Sequence, residues 1–295
     1  MKVHPFIEAE KVAAHNVKRC CELLEVSRAA FYDRLDPTPS AKEQSDAELV
    51  EKITAVHTES KGTYGSPRIH QELKKRGVAC GRRRVRRLMR RAGLEGRCKK
   101  RWRKTTITDP AAEAALDLVQ RAFGAGAELD RRYVGDITYI ATWEGWAYLA
   151  TVIDLSSRRV VGWALADHMR TELVADALSM ALRTRGPEQG LIFHSDRGCQ
   201  YTSAEYGQLA RRNGVVLSIG RKGECWDNAV AESFFATIKR ELVDTRAWPT
   251  RAGLRSAIFD YIEGWYNVRR LHSSLNYCSP AEWEATHRNA NRQAA

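Results

Sequence analysis

Apolar positions along the chain keep a helical period up to about residue 93 and a period of two from residue 131. Val12 to Leu24 is a periodic run, Glu25-Val-Ser27 breaks it, and Ser27 suits the N-cap of a helix over Arg28–Leu35. Two short helices with a tight turn predict a helix-turn-helix-like module over 1–40, closed by the breaker cluster Asp36-Pro-Thr-Pro-Ser40. A second helical module is predicted over 41–110. Its first helix lies near Ser45 to Glu59, with Leu49, Ile53 and Val56 on one face. Ser66-Pro67 starts the next, with Ile69 and Leu73 facing inward. The third runs from about Arg82 to Ala92, with Val85, Leu88 and Met89 as its apolar stripe. Thr105-Thr-Ile-Thr-Asp-Pro110 then breaks the chain, and a domain boundary is expected at 105–125.

The second half reads as an α/β domain over 120–247. Tyr133–Thr142 alternates, Trp146–Asp154 is nearly all apolar, and Arg158–Ala166 alternates again. Turns at Glu144-Gly145 and Leu155-Ser-Ser157 make these a three-stranded meander. Helix Thr171–Arg183, strand 191–194, helix Ser203–Asn213, strand Val215–Ile219 and a long helix near 227–243 follow. The order is βββαβαβα, a mixed sheet with helices on its faces. Asp227 or Asn228 is expected to cap the long helix behind the loop Arg221–Asn228. A helix over 250–266 opens a C-terminal helical extension, 248–295, whose last dozen polar residues are expected to fray. Trp143, Trp146 and Trp163 are expected in core or strand-edge packing.

Charge separates the modules. The chain has 295 residues, with 48 Lys+Arg against 36 Asp+Glu, net +12. Between Lys61 and Lys104 there are 18 Lys/Arg and two acids, Glu72 and Glu95, so this segment carries +16 and the rest −4. One module therefore suits a polyanion. Arg82, Arg83, Arg84, Arg86, Arg87, Arg90 and Arg91 surround the apolar stripe of the third helix, and Lys99, Lys100 and Arg101 follow beside Trp102. These are the candidate contacts to double-stranded DNA. No apolar run approaches the roughly 20 residues of a membrane span, and Met1–Glu8 has no signal-peptide core, so no membrane association is expected. Seven cysteines with no Cys-x-x-Cys pair argue against a disulfide framework or structural zinc and for a reducing, cytoplasmic setting.

Three acids carry the candidate chemistry. Asp136 sits inside an alternating strand, where Asp is uncommon, on the face of Val134 and Thr138. Asp196 ends the short strand Leu191-Ile-Phe-His-Ser-Asp196. Glu232 follows with 35 residues between, one turn into the long helix, beside the buried stripe Phe235, Ile238 and Leu242. Carboxylates from two strands and a helix can hold two divalent ions about 4 Å apart, the arrangement that serves in-line attack on a phosphodiester. Hard oxygen donors favour Mg²⁺ or Mn²⁺. Lys239, two turns beyond Glu232, can offer an ammonium to a phosphate. Taken singly, Asp196 also reads as a turn residue and Glu232 as a solvated helical acid; Asp154 reads as a turn acid. His194 either touches the acidic site or bonds to backbone, and His272 has no role that spacing reveals.

Val134-Gly-Asp-Ile-Thr-Tyr-Ile140, His194-Ser-Asp-Arg-Gly-Cys-Gln-Tyr-Thr-Ser203 and Gly223–Glu241 resemble the three acidic motifs of bacterial insertion-sequence transposases with a retroviral-integrase-like core. Tyr266-Asn…Arg270-Leu-His-Ser-Ser-Leu…Ser279-Pro280 is similar to their C-terminal signature, and Tyr64-Gly-Ser-Pro-Arg-Ile69 to their upstream helical part. The resemblance implies an RNase H-like core and a DDE transposase. Asp136, Asp196 and Glu232 would be catalytic and bind two Mg²⁺ (or Mn²⁺), and Lys239 would contact terminal DNA. It also implies strand cleavage and transfer at terminal inverted repeats, joining to target DNA, at least a homodimer on DNA, and a nucleoid-associated place in a bacterial cytoplasm. The chain is expected to be the downstream reading-frame product of such an element. The competing expectation is a DNA-binding regulator with an inactive integrase-like core.

Overall fold

The computed structural model describes residues 3–35, 39–97, 128–219 and 229–294. Helices α1 (Val3–Val12), α2 (Val17–Leu23) and α3 (Arg28–Leu35) close over a small core of Ile7, Cys21 and Phe31. The expected helix from Val12 to Leu24 is two helices. The chain turns through Ala14, at φ 63°, and Asn16 caps α2 by accepting from the backbone N–H of Lys18 and Arg19. Val12 is exposed at the end of α1 instead of beginning a buried stripe.

Helix α4 (Ala41–Glu59) starts earlier than its apolar pattern predicts, because Ser40 and Glu43 cap each other's backbone reciprocally. With α5 (Ser66–Lys75) and α6 (Arg82–Arg91) it buries the expected stripe: Leu49, Ile53 and Val56; Ile69 and Leu73; Val85, Leu88 and Met89. One acid is sealed into this module. Asp46 is buried and accepts from Arg84 Nε at 2.8 Å and Arg87 at 2.7 Å. The 105–125 boundary, together with Lys99, Lys100, Arg101 and Trp102, lies outside the described residues.

The mixed sheet is built from β1 (Arg132–Thr142), β2 (Gly145–Asp154), β3 (Val160–Ala166), β4 (Ile192–Ser195) and β5 (Val216–Ile219), in the order β3-β2-β1-β4-β5. β1, β2 and β3 form the antiparallel meander; β4 runs parallel to β1, and β5 parallel to β4. Asp154 closes the second turn as expected, accepting from the backbone of Ser156 and Ser157. Helices α7 (Thr171–Arg185) and α8 (Ala204–Arg212) intervene, and α9 (Ala229–Glu241) completes the βββαβαβα order of an RNase H-like core. The sheet separates two apolar layers. Tyr133, Ala150 and Val152 pack with α7, whereas Val134, Leu149 and Ile153 pack with Ala231, Phe234, Phe235 and Ile238 of α9.

α7 lies directly on β3. A Cβ added at Gly162 would stand 2.2 Å from the Ala177 carbonyl oxygen and 2.7 Å from the Ala181 nitrogen. Helix backbone cannot yield as a side chain can, so Gly162→Ala is expected to cost about 3 kcal/mol, read as a lower denaturant midpoint at unchanged slope. An unshifted midpoint would mean that α7 slides freely on the sheet.

After α9 come α10 (Arg251–Tyr261), a π turn at Ile262–Tyr266, and α11 (Pro280–Ala294). The tail expected to fray is helical to Ala294. Trp283 and Glu284 are buried near its start, and Glu284 pairs with Arg159 at 3.1 Å and Arg185 at 2.9 Å. The basic helical module docks on this C-terminal part. The Tyr64 hydroxyl donates to the Arg269 carbonyl and accepts from the Leu271 N–H, while Arg68 Nε donates to the Leu271 carbonyl at 2.9 Å. Trp163 is buried as expected, but Trp143 and Trp146 are 76% and 51% exposed. Both lie at the outer end of the β1–β2 hairpin, held there through their backbone: the Trp143 N–H donates to the Trp248 carbonyl and Arg251 Nε to the Trp146 carbonyl.

Candidate active site

The sheet brings the first two acids together. The parallel β1–β4 register ends at Val134 opposite His194. Two residues further along both chains stand Asp136 and Asp196, the latter just past the end of β4. Gly135 between them permits this pairing, since a Cβ there would lie 2.2 Å from the Phe193 ring. Asp136 Oδ1 accepts from the Ile137 N–H at 2.8 Å. Asp196 Oδ1 accepts from the Gly198 N–H at 3.0 Å, and its loop is anchored where Gln200 Nε2 donates to the Met169 carbonyl.

α9 supplies the third acid. Its buried residues dock it on the sheet face that carries Val134, and Glu232, in its first turn, stays exposed at the rim. Burial is the main cause that pushes the Asp136 carboxyl up to about 7; the negative charges of Asp196 and Glu232 add to it. Asp136 therefore feels both other acids at once. Among the described residues, no three His, Cys, Asp or Glu side chains are already drawn into a metal-holding cluster. The donor set still fits a hard divalent cation: it is all carboxylate oxygen, and Asp136 is a half-buried acid whose excess negative surroundings a cation would offset.

That environment has a sign. Asp136 has an ordinary value of 3.8 and a folded value of about 7. Between these pH values the native state holds a proton that the unfolded chain releases, so metal-free stability falls as pH rises through the window. Above pH 7 the whole penalty is present. Asp136→Asn is expected to stabilise the metal-free protein there by on the order of 4 kcal/mol, with no gain below about pH 4. Thermal midpoints in chelator across this range test the point, and a constant difference between the two proteins would refute it.

The remaining sequence-derived residues separate into groups. Lys239 Nζ lies over the Tyr139 ring, 5.4 Å from its centroid, two turns along α9 from Glu232. Arg82, Arg83, Arg86, Arg90 and Arg91 are exposed on α6, whereas Arg84 and Arg87 are engaged by Asp46. His194 is fully buried and its Nδ1 bonds to Ser218 Oγ at 2.9 Å. His272 is half-buried, edge-on to Tyr266. The caps expected at Asp227 or Asn228 lie outside the described residues. Tyr201 had no expected role, yet it floors the acidic site. It is buried against Phe193 and Tyr206, and burial, Tyr206 and then the charges of Asp136 and Asp196 push its hydroxyl well above its usual range. Its place in the Asp196 motif was the one available sign.

Comparison with known proteins agrees with this architecture. The family described as Integrase core domain matches residues 127–225, a second so described matches 213–280, and an HTH-like domain matches 43–102. A putative transposase for insertion sequence element IS986/IS6110 from Mycobacterium tuberculosis is 37% identical over 270 residues, 90% of this chain and 96% of that protein. The transposase for insertion sequence element IS904 from Lactococcus lactis is 40% identical, covering 83% of this chain and 96% of the relative. The transposase InsF for insertion sequence IS3A from Escherichia coli is 35% identical over 95% of this chain and 97% of its own. Among solved structures, the HTLV-2 integrase catalytic core domain in complex with magnesium aligns with a TM-score of 0.39 at 17% identity, over 50% of this chain and 94% of that one.

Proposed function

This chain belongs to the insertion-sequence transposases with an integrase core, and on that premise we propose that it cleaves and joins DNA strands at its element's terminal inverted repeats. What supports the proposal is that the β1–β4 pairing carries Asp136 and Asp196 to neighbouring positions at one end of the sheet, and that the charges of Asp196 and Glu232 both act on Asp136. Two Mg²⁺ (or Mn²⁺) ions bound there would lower the pKa of an attacking water or 3′-hydroxyl and offset charge on the leaving oxygen. The protein's part is positional. Asp136 is held by its strand, Asp196 by its bond from Gly198, and Glu232 by the docked α9. In the reaction an oxygen–phosphorus bond forms as the opposite phosphorus–oxygen bond breaks, and no side chain becomes attached to DNA. Lys239, on the same helix, would pair with a phosphate near the scissile bond.

Substrates are the element's double-stranded ends and a target duplex, and two ends must meet, so at least a dimer assembles on DNA. No helix among the described residues is long and apolar enough to cross a membrane, and we place the activity on the nucleoid in the cytoplasm. The experiment is a strand-transfer assay with terminal-repeat duplex and Mg²⁺. Joined product supports the proposal; DNA binding with no joining under any divalent metal would leave a regulator with an inactive core.

Duplex binding has its own expectation. The exposed arginines of α6 would neutralise phosphates, so replacing Arg82, Arg83 and Arg86 together by Ala should reduce the slope of log affinity against log salt by about three. Arg84→Ala should instead lower stability, because it leaves the buried Asp46 short of a partner. Filter binding across a salt series, beside thermal denaturation, distinguishes the two classes; an unchanged slope would remove α6 from the DNA interface.

A further inference from the structure

On the far side of α9 from Glu232 lies a cavity of about 620 Å³, open between the basic helical module, the core and the C-terminal segment. Five guanidiniums line it: Arg68, Arg97, Arg158, Arg240 and Arg270. One carboxylate faces them, Glu241, and it is taken by Arg270 in a two-pronged pair at 2.7 and 2.9 Å. Among the described lining residues, guanidiniums therefore outnumber carboxylates five to one. Among the described residues, no carboxylate pairs with Arg68, Arg97 or Arg240. Backbone carbonyls hold them instead: Leu271 for Arg68, Arg240 and Glu241 for Arg97, Ala236 for Arg240. Such bonds fix a guanidinium in place and leave its other N–H groups free for a ligand.

The enclosed field acts on its neighbours. Burial, and then Arg270, holds the Arg68 guanidinium below its usual range. Burial followed by Arg270, Arg68 and Arg158 keeps the His272 imidazole neutral, with its pKa well below the ordinary value. A monovalent carboxylate brings one charge and two oxygens, whereas a phosphate group brings several oxygens and up to two charges to neighbouring guanidinium forks.

We propose that this three-module cavity binds a phosphate group, supplied either by a DNA strand or by a small free polyphosphate. The strand form rests on the DNA-acting function proposed above; the free-polyphosphate form does not. A ligand here would bridge the basic module to the helix that carries Glu232.

The test uses the full chain with sodium pyrophosphate in calorimetry, against sulfate at matched ionic strength, and a short duplex in fluorescence anisotropy over a salt series. The variants are Arg240→Glu and, at the exposed rim, Arg97→Glu, with Arg212→Glu on α8 as the charge-matched control. If Arg240→Glu destabilises the fold, Arg97→Glu carries the test. About tenfold weaker pyrophosphate binding in the cavity variants and not in the control supports the proposal with a free ligand. A duplex salt slope reduced by about one in the cavity variants alone supports it with a strand phosphate. Cavity variants indistinguishable from Arg212→Glu with both ligands overturn it. Joining of DNA is not among the readouts, so an inactive core and an empty cavity are separate results.

Discussion

Asp136→Asn, Asp196→Asn and Glu232→Gln are each expected to reduce strand transfer by at least about a thousandfold, a loss of about 4 kcal/mol of transition-state stabilisation. Each amide keeps the shape of the side chain and removes one anionic donor to hard cations. The acids are expected to act as a unit, so a double variant should be little worse than either single one. Duplex affinity should stay within about twofold of wild type, since the exposed arginines that would set it lie on α6, in another module. Measuring joined product and duplex binding on the same preparations separates chemistry from recognition. Near-normal joining in any one variant removes that acid from the site, and loss of binding in step with joining would point to misfolding.

The largest expected effect on stability lies at Glu241, the last residue of α9 and about two and a half turns beyond Glu232. Glu241 and Arg270 are nearly sealed from solvent, at 4% and 6% side-chain exposure, and Tyr261 also donates to the Glu241 carboxylate at 2.8 Å. Burial alone would raise the Glu241 pKa, but the hydrogen bonds and charge of Arg270 hold it below its usual range. Removing one member leaves the other buried without its counter-charge. Glu241→Ala is therefore expected to cost about 3–5 kcal/mol, whereas an exposed pair such as Lys18–Glu22 should contribute under about 1 kcal/mol. The pH dependence has the opposite sign to that of Asp136. Here the native state releases its proton more readily than the unfolded chain, so the contribution is present above the usual carboxylate range and disappears as pH falls through the depressed value. Denaturant midpoints at neutral and acid pH measure both; a variant within 1 kcal/mol of wild type at neutral pH would show that Arg270 finds another partner.

Much of this architecture is legible without coordinates. The alternating runs give β1 and β3, and the nearly all-apolar run gives β2, each to within two residues, because a strand covered on one face alternates and one covered on both is apolar throughout. The stripe Val85, Leu88 and Met89 marks the buried side of α6, because arginines occupy nearly every other position. The errors have physical causes of a different kind. Asn16 and the Ser40–Glu43 box set helix starts through single hydrogen bonds that leave no periodic trace. The last dozen residues look solvated, yet α11 is fixed near its start by Trp283 and Glu284, whose partners Arg159 and Arg185 lie about a hundred residues away.

The same division runs through the candidate site. Chain chemistry alone singles out Asp136, since a strand rarely carries an acid without a reason, and motif spacing adds Asp196 and Glu232. Their proximity depends on the parallel β1–β4 pairing and on the face of the sheet where α9 lands, which are tertiary contacts. Local pattern determines which residues are apolar, charged or cap-forming, because those properties belong to neighbours a few positions apart. Only the folded chain decides that Arg84 turns inward to Asp46, and that arginines from three modules share one cavity. Such meetings are made by packing between distant segments, and no periodicity in the sequence records them.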